Sequence, residues 1–166
     1  KDNEVKRVIS NLSLHLVSNP NKMLSEIYRI LDKNDKTSSL GLSVWGRKEN
    51  NFYMRFISEI YKRNNIELPS TRSNFHLSDM EEMRKLLNEN GFKINYMKYI
   101  SIPLSFRGFD DIKSLLNSPV NLNIMKNLNE DLKNKIIDEV KIEFEKEIEL
   151  NGKVEFEGLI IHAVIA

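Results

Sequence analysis

The stretch Arg7–Gly46 limits what this chain can fold into more than any other. It reads Arg7-Val-Ile-Ser-Asn-Leu-Ser-Leu-His-Leu-Val17, then Met23-Leu-Ser-Glu-Ile-Tyr-Arg-Ile-Leu31, then Leu40-Gly-Leu-Ser-Val-Trp-Gly46. A buried strand runs into a polar turn at Ser10 and Asn11, a helix follows, and a second strand ends at Trp45 and Gly46. That is a βαβ crossover, the unit that builds parallel sheets. Val8, Ile9, Leu12, Leu14, Leu16 and Val17 form the mostly apolar run expected of a central strand and the turn beyond it. Ligands of parallel sheets sit at the carboxyl ends of the strands. Here those ends carry Ser10, Asn11 and His15 on one side and Trp45 and Gly46 on the other.

The remaining elements follow from local signals. Asn19 and Pro20 predict a helix start, and Met23, Leu24, Ile27, Ile30 and Leu31 its apolar face. Asp32–Ser39 is a polar turn. Phe52–Asn64 reads as a helix with Phe52, Phe56, Ile57, Ile60 and Tyr61 on one side, and Pro69 marks a loop. Ser78 with Glu81 predicts a capping box opening a helix over Asp79–Asn90, stopped by Asn90-Gly91. Alternating apolar residues predict one long or broken strand over Lys93–Phe106, with Pro103 marking a sheet edge. A short helix opens at Gly108, turns Ile112, Leu115 and Leu116 inward, and is expected to end at Pro119. Asn129 caps a last helix, about Glu130–Leu150, whose outer face is dense in Lys and Glu at i,i+4 spacing and reads as solvated. Val154–Phe156 alternates and Leu159–Ala166 is nearly all apolar, a buried final strand.

Composition narrows the function classes. The 166 residues fit one domain. With 25 basic and 24 acidic residues the net charge is +1, which makes no case for nucleic acid or an anionic membrane surface. Zero Cys excludes a disulfide framework and any thiolate metal site, and fits a cytoplasmic location. No apolar run approaches the roughly 18–20 residues of a membrane span. His15, His76 and His162 are scattered without HxxxH or HxH spacing, so no metal site is expected. His76 reads as a loop residue and His162 as a structural residue of the final strand.

The order of these segments resembles a class I S-adenosylmethionine-dependent methyltransferase of the small-molecule type. The resemblance lies in the Ser-Asn-Leu-x-Leu-His segment at Ser10–His15, in Ile27-Tyr-Arg-Ile-Leu31, in Ser43-Val-Trp-Gly46, and in the helix from Phe75 that ends in Gly91-Phe92 and leads into a strand. It covers about residues 5–166. The family's glycine-rich loop after its first strand is absent, as no Gly-x-Gly occurs. The match begins at what would be the fourth strand, so the chain resembles the family's carboxyl-terminal half, and it begins with Lys, which suits a fragment or a processed chain. The implied fold is α/β, the carboxyl-terminal part of a Rossmann-like seven-stranded sheet, with a helical cap over residues 47–75 and an antiparallel final strand beside the fifth.

The resemblance implies an enzyme, or part of one, that transfers a methyl group from S-adenosylmethionine to an unidentified acceptor, with the cofactor's glycine-rich half missing. Ser10, Asn11 and Leu12 would line the cofactor's methionine end. His15, Trp45, Tyr53 and Arg55 would face the acceptor. The short basic pairs Arg47-Lys48 and Lys62-Arg63 read as surface charge. A half-sheet would expose an apolar edge, so a further domain or a partner chain is expected to cover it. The rival reading is a methyltransferase-derived binding or assembly module without activity of its own. An unrelated α/β binding domain is a third.

Overall fold

The computed structural model describes residues 2–68, 72–104 and 108–166, and all but the side chain of Leu115 among them. The expectations at Pro69, Phe106 and the Leu115 side chain lie outside the described residues. The elements in chain order are β1 (Arg7–Asn11), α1 (Pro20–Ile30), β2 (Ser39–Trp45), α2 (Phe52–Arg63), α3 (Met80–Glu89), β3 (Phe92–Leu104), α4 (Phe109–Leu115), α5 (Pro119–Met125), α6 (Glu130–Asn151) and β4 (Val154–Ile165). The chain divides into two compact units. One holds Lys1–Asn50, Arg72–Ser101 and Glu157–Ala166, and the other Asn51–Thr71 and Ile102–Phe156. The segment 47–75 therefore contributes to both. No described helix is long and apolar enough to cross a membrane.

The first unit is built on the βαβ crossover. β1 and β2 pair in parallel, with Val8 opposite Leu40 and Ser10 opposite Leu42. The Asn19 side chain accepts the Lys22 N–H and opens α1, with Pro20 at its first turn. The sheet order is β1-β2-β4-β3. β4 runs antiparallel to β2, and the Ala166 N–H donates to the Gly91 carbonyl, bringing the end of β4 to the start of β3.

Burial in this sheet is one-sided. Leu40, Leu42 and Val44 of β2 and Leu159, Ile161 and Ala163 of β4 pack with Leu24 and Ile27 of α1 and Met83 and Leu87 of α3. Alternation puts Ile9, Gly41 and His162, which lie opposite one another across three strands, on the other face. There Ile9 is 84% exposed, and His162 is exposed as well.

Among the described residues nothing pairs with the outer side of β1, the open edge expected of a half-sheet. Three local expectations are corrected. Ser10 and Asn11 are the last two residues of β1 rather than a turn, and the chain bends at Leu12. The cap of α3 is Asp79, not Ser78: its carboxylate accepts the N–H groups of Glu81 and Glu82, and a carboxylate satisfies helix-start donors better than a hydroxyl. Pro119 does not end a helix but starts one, α5, behind a Ser118 cap. Pro has no N–H to lose at a first helical position.

The second unit is helical. Phe52, Phe56, Ile57 and Ile60 of α2 pack with Ile112, Leu116, Ile124 and with Ile136, Val140 and Phe144 of α6. Inside this core Asn121 donates to the Tyr53 hydroxyl at 2.8 Å and accepts from the Tyr61 hydroxyl at 3.1 Å. α6 starts on the Asn129 side chain and ends at Gly152, whose φ of 69° is the left-handed conformation that glycine adopts at least cost.

In the first unit, Gly46 follows β2 and its N–H donates to the Glu157 carbonyl at 2.8 Å. A Cβ here would stand 2.7 Å from Glu157 Cγ and 3.0 Å from the Glu157 carbonyl oxygen. Gly46→Ala is expected to destabilise the fold by about 1–3 kcal/mol, the usual cost of overpacking, measured by urea denaturation.

Candidate functional site

The carboxyl ends of β1 and β2 lie side by side because the strands are parallel and in register. Ser10 is 4% exposed, and its Oγ is 2.7 Å from Ser13 Oγ. Asn11 is exposed, and its Oδ1 accepts from Ser43 Oγ at 2.5 Å. The Leu12 N–H is shared between the Ser43 carbonyl at 3.0 Å and Ser43 Oγ at 3.1 Å. Leu12 itself has φ of 48°. A left-handed conformation costs a residue with a Cβ roughly 1–2 kcal/mol, and it is held here by the bonds to Ser43. Such enforced strain is concentrated at functional positions.

Beyond the bend, a single 3-10 turn (Leu14–Leu16) tucks Leu14 and His15 inward. His15 is 5% exposed and its Nδ1 is buried with no hydrogen-bond partner among the described residues. Its ring lies 6.3 Å from that of Trp45, tilted by 51°. Burial, and then the charge His76 can carry, hold His15 below its ordinary value of 6.5. The imidazole is therefore neutral at neutral pH.

Next to Trp45 the end of β2 is latched to β4. Arg47 donates from Nε to Glu157 Oε1 at 3.0 Å and from Nη2 to Oε2 at 2.6 Å. The Arg47 backbone N–H and Asn50 Nδ2 add bonds of 2.8 and 2.7 Å to the same carboxylate. The guanidinium lies 4.5 Å over the Tyr99 ring, whose hydroxyl donates to the Ser78 carbonyl at 2.7 Å. Burial alone would raise the Glu157 carboxyl, but the four hydrogen bonds outweigh it and hold the group below 4.5.

Of the residues singled out from sequence, Ser10, Asn11, Leu12, His15 and Trp45 gather in the first unit. Tyr53 and Arg55 belong to the second. Tyr53 is buried, its hydroxyl accepts from Asn121, and burial pushes its ionisation far above the usual tyrosine range. Arg55 Nε is buried without a partner among the described residues. Arg47 is half-exposed, yet it is the bidentate partner of Glu157 rather than plain surface charge. Glu157 was legible only as an acid inside an apolar strand, a placement that demands a partner. His76 carried no signal in sequence. Among the described residues no group of three metal-ligating side chains forms.

The pH dependence of stability follows from two of these groups. His15 takes up its proton more readily unfolded than folded, so stability falls as pH drops below 6.5. Glu157 holds its proton less tightly folded than unfolded, so its contribution is complete above 4.5 and is lost as pH falls through the lower folded value. Urea titrations across this range are expected to show both slopes. His15→Asn is expected to flatten the upper one, and Glu157→Gln to reduce the lower, to which Glu26 and Asp35 also contribute.

No family model and no curated protein matches the sequence. Solved structures do match. A Bacillus halodurans C-125 protein provisionally described as a methyltransferase aligns with a TM-score of 0.51 at 18% identity, over 98% of this chain and 64% of its own. The YcgJ protein of Bacillus subtilis aligns with a TM-score of 0.50 at 13% identity, over 99% of this chain and 65% of its own. The chain has the class I methyltransferase fold, and spans a little under two thirds of the length of these structures.

Proposed function

We propose that this chain is the carboxyl-terminal half of an S-adenosylmethionine-dependent methyltransferase and that it supplies the acceptor side of the reaction. The observation that carries this reading is the alignment of 98% of the chain to a longer structure of the same fold. The sheet order β1-β2-β4-β3 supports it: these strands would correspond to the fourth, fifth, seventh and sixth of the family's seven, and among the described residues nothing pairs with the outer side of β1. The exposed Ile9 face is where the helices of a doubly wound sheet would lie. The glycine-rich half, from the same protein or a partner chain, would cover that face and edge.

The residues present fit one end of the cofactor. A methionine moiety offers an ammonium and a carboxylate. Asn11 has an exposed amide, while the Leu12 N–H and Ser10 Oγ are already engaged by Ser43 and Ser13. Asn11 would therefore make the direct side-chain contact, and Ser10 and Leu12 would hold it in place through the strained bend. The cofactor supplies an electrophilic methyl group. This chain's part is alignment: Trp45 and His15 form an apolar wall that orients the acceptor and keeps water away.

Titration of this chain with S-adenosylhomocysteine, followed by amide chemical shifts, is expected to move Asn11, Leu12 and His15 with a Kd on the order of a millimolar, about 4 kcal/mol. Asn11→Ala is expected to weaken that binding severalfold. A folded chain whose Asn11, Leu12 and His15 amides stay in place would leave a non-catalytic module derived from the fold.

A further inference from the structure

We propose that residues 46–50 form a strap at the carboxyl end of β2 that opens and closes as one piece, that the Glu157 carboxylate is its catch, and that Trp45 moves with it. The proposal goes beyond the methyl-transfer reading and holds for any ligand of the strand ends.

The strap has no apolar anchor of its own. Arg47, Lys48, Glu49 and Asn50 are all polar and all exposed. No side chain of the 3-10 turn Lys48–Asn50 is buried. The flanking residues Gly46 and Asn51 are buried, as is Phe52 at the start of α2. A segment without buried apolar contacts opens at low cost unless polar bonds hold it.

Here the polar bonds converge on one group. The last ladder pair of β2 and β4 is Trp45 opposite Gly158. One residue further, the Gly46 N–H donates to the Glu157 carbonyl. The Arg47 backbone N–H, two atoms of its guanidinium and the Asn50 amide then all donate to the Glu157 carboxylate, at 2.8, 3.0, 2.6 and 2.7 Å. Glu157 is 7% exposed. Because these donors share one acceptor group, they do not let go one by one. A half-released strap leaves a buried carboxylate short of partners, which is the costly state. The favoured arrangements are the two ends: closed, with the carboxylate fully engaged, and open, with the segment lifted and water on Glu157. Gly46 permits closure, since a Cβ there would stand 2.7 Å from Glu157 Cγ. Tyr99 receives the returning guanidinium. Its ring lies 4.5 Å from Arg47 Cζ, and its hydroxyl is fixed on the Ser78 carbonyl.

Position gives the strap its use. Ligands of a parallel sheet lie at the carboxyl ends of its strands. Trp45, whose ring is 6.3 Å from that of His15, is joined directly to the strap. Opening draws Trp45 away from His15 and exposes that end of the sheet, and closing returns it.

The chain has a single tryptophan, so its fluorescence reads Trp45 directly. Arg47→Ala and Glu157→Gln are each expected to raise acrylamide quenching of Trp45 roughly twofold. The amide chemical shifts of Leu42 and Ile161 in the sheet core are expected to stay in place. The double variant is expected to add nothing, because either change alone releases the same catch. In the wild-type chain, 15N relaxation dispersion is expected to show one shared microsecond-to-millisecond process at Gly46, Arg47, Asn50 and Glu157. Should neither variant fold, that measurement decides. The proposal is overturned if the folded variants quench like the wild type, if Leu42 and Ile161 shift along with the quenching, if the double variant sums the two single effects, or if the wild-type amides show no shared process.

Discussion

The parallel register of β1 against β2 is the constraint on which the first unit depends. With Val8 opposite Leu40 and Ser10 opposite Leu42, alternation sends Val8, Leu40, Leu42 and Val44 to one face. α1 closes the crossover over that face, and α3 joins it, as the shared core of Leu24, Ile27, Met83 and Leu87 records. Slipping β1 by one residue against β2 would bury Ile9 and expose Val8. The same register brings Asn11 level with Ser43, which is why the bend at Leu12 can be held from the neighbouring strand. The geometry of the candidate site is thus a by-product of core packing.

The two units hold themselves together by different chemistry. In the first, one buried carboxylate, Glu157, organises the end of β2: four hydrogen bonds converge on it, and Gly46 leaves room for it. A charge in that place is tolerable only with its partners complete. In the second, the helices pack through aromatic and aliphatic contacts around a neutral network of Tyr53, Tyr61 and Asn121. Neutral groups suit that deeper setting, because burial drives the Tyr61 hydroxyl up to about 12 and Tyr53 further still.

Much of the fold was legible because it is written in short-range patterns. The strand, helix and strand of Arg7–Gly46, the Asn19-Pro20 start, the Asn129 cap and the Gly152 stop each need only neighbouring residues to be recognised. Local signals misled where two compete. Ser78 and Asp79 both precede α3, and the stronger acceptor won. Pro119 can end one helix or begin the next, and the Ser118 cap settled it.

The site was legible in part for the same reason. Ser10, Asn11, Leu12, His15 and Trp45 follow from one rule about strand ends, which needs only the crossover. Arg47 with Glu157 does not, since that pair joins residues far apart in the chain whose meeting depends on how the sheet packs. The sequence by itself determined the elements, the crossover and the apolar face of each helix, since propensity, capping and periodicity act over a few residues. Packing in three dimensions settles which carboxylate receives the arginine and which imidazole nitrogens are buried without a partner among the described residues, because burial and pairing are properties of neighbours in space.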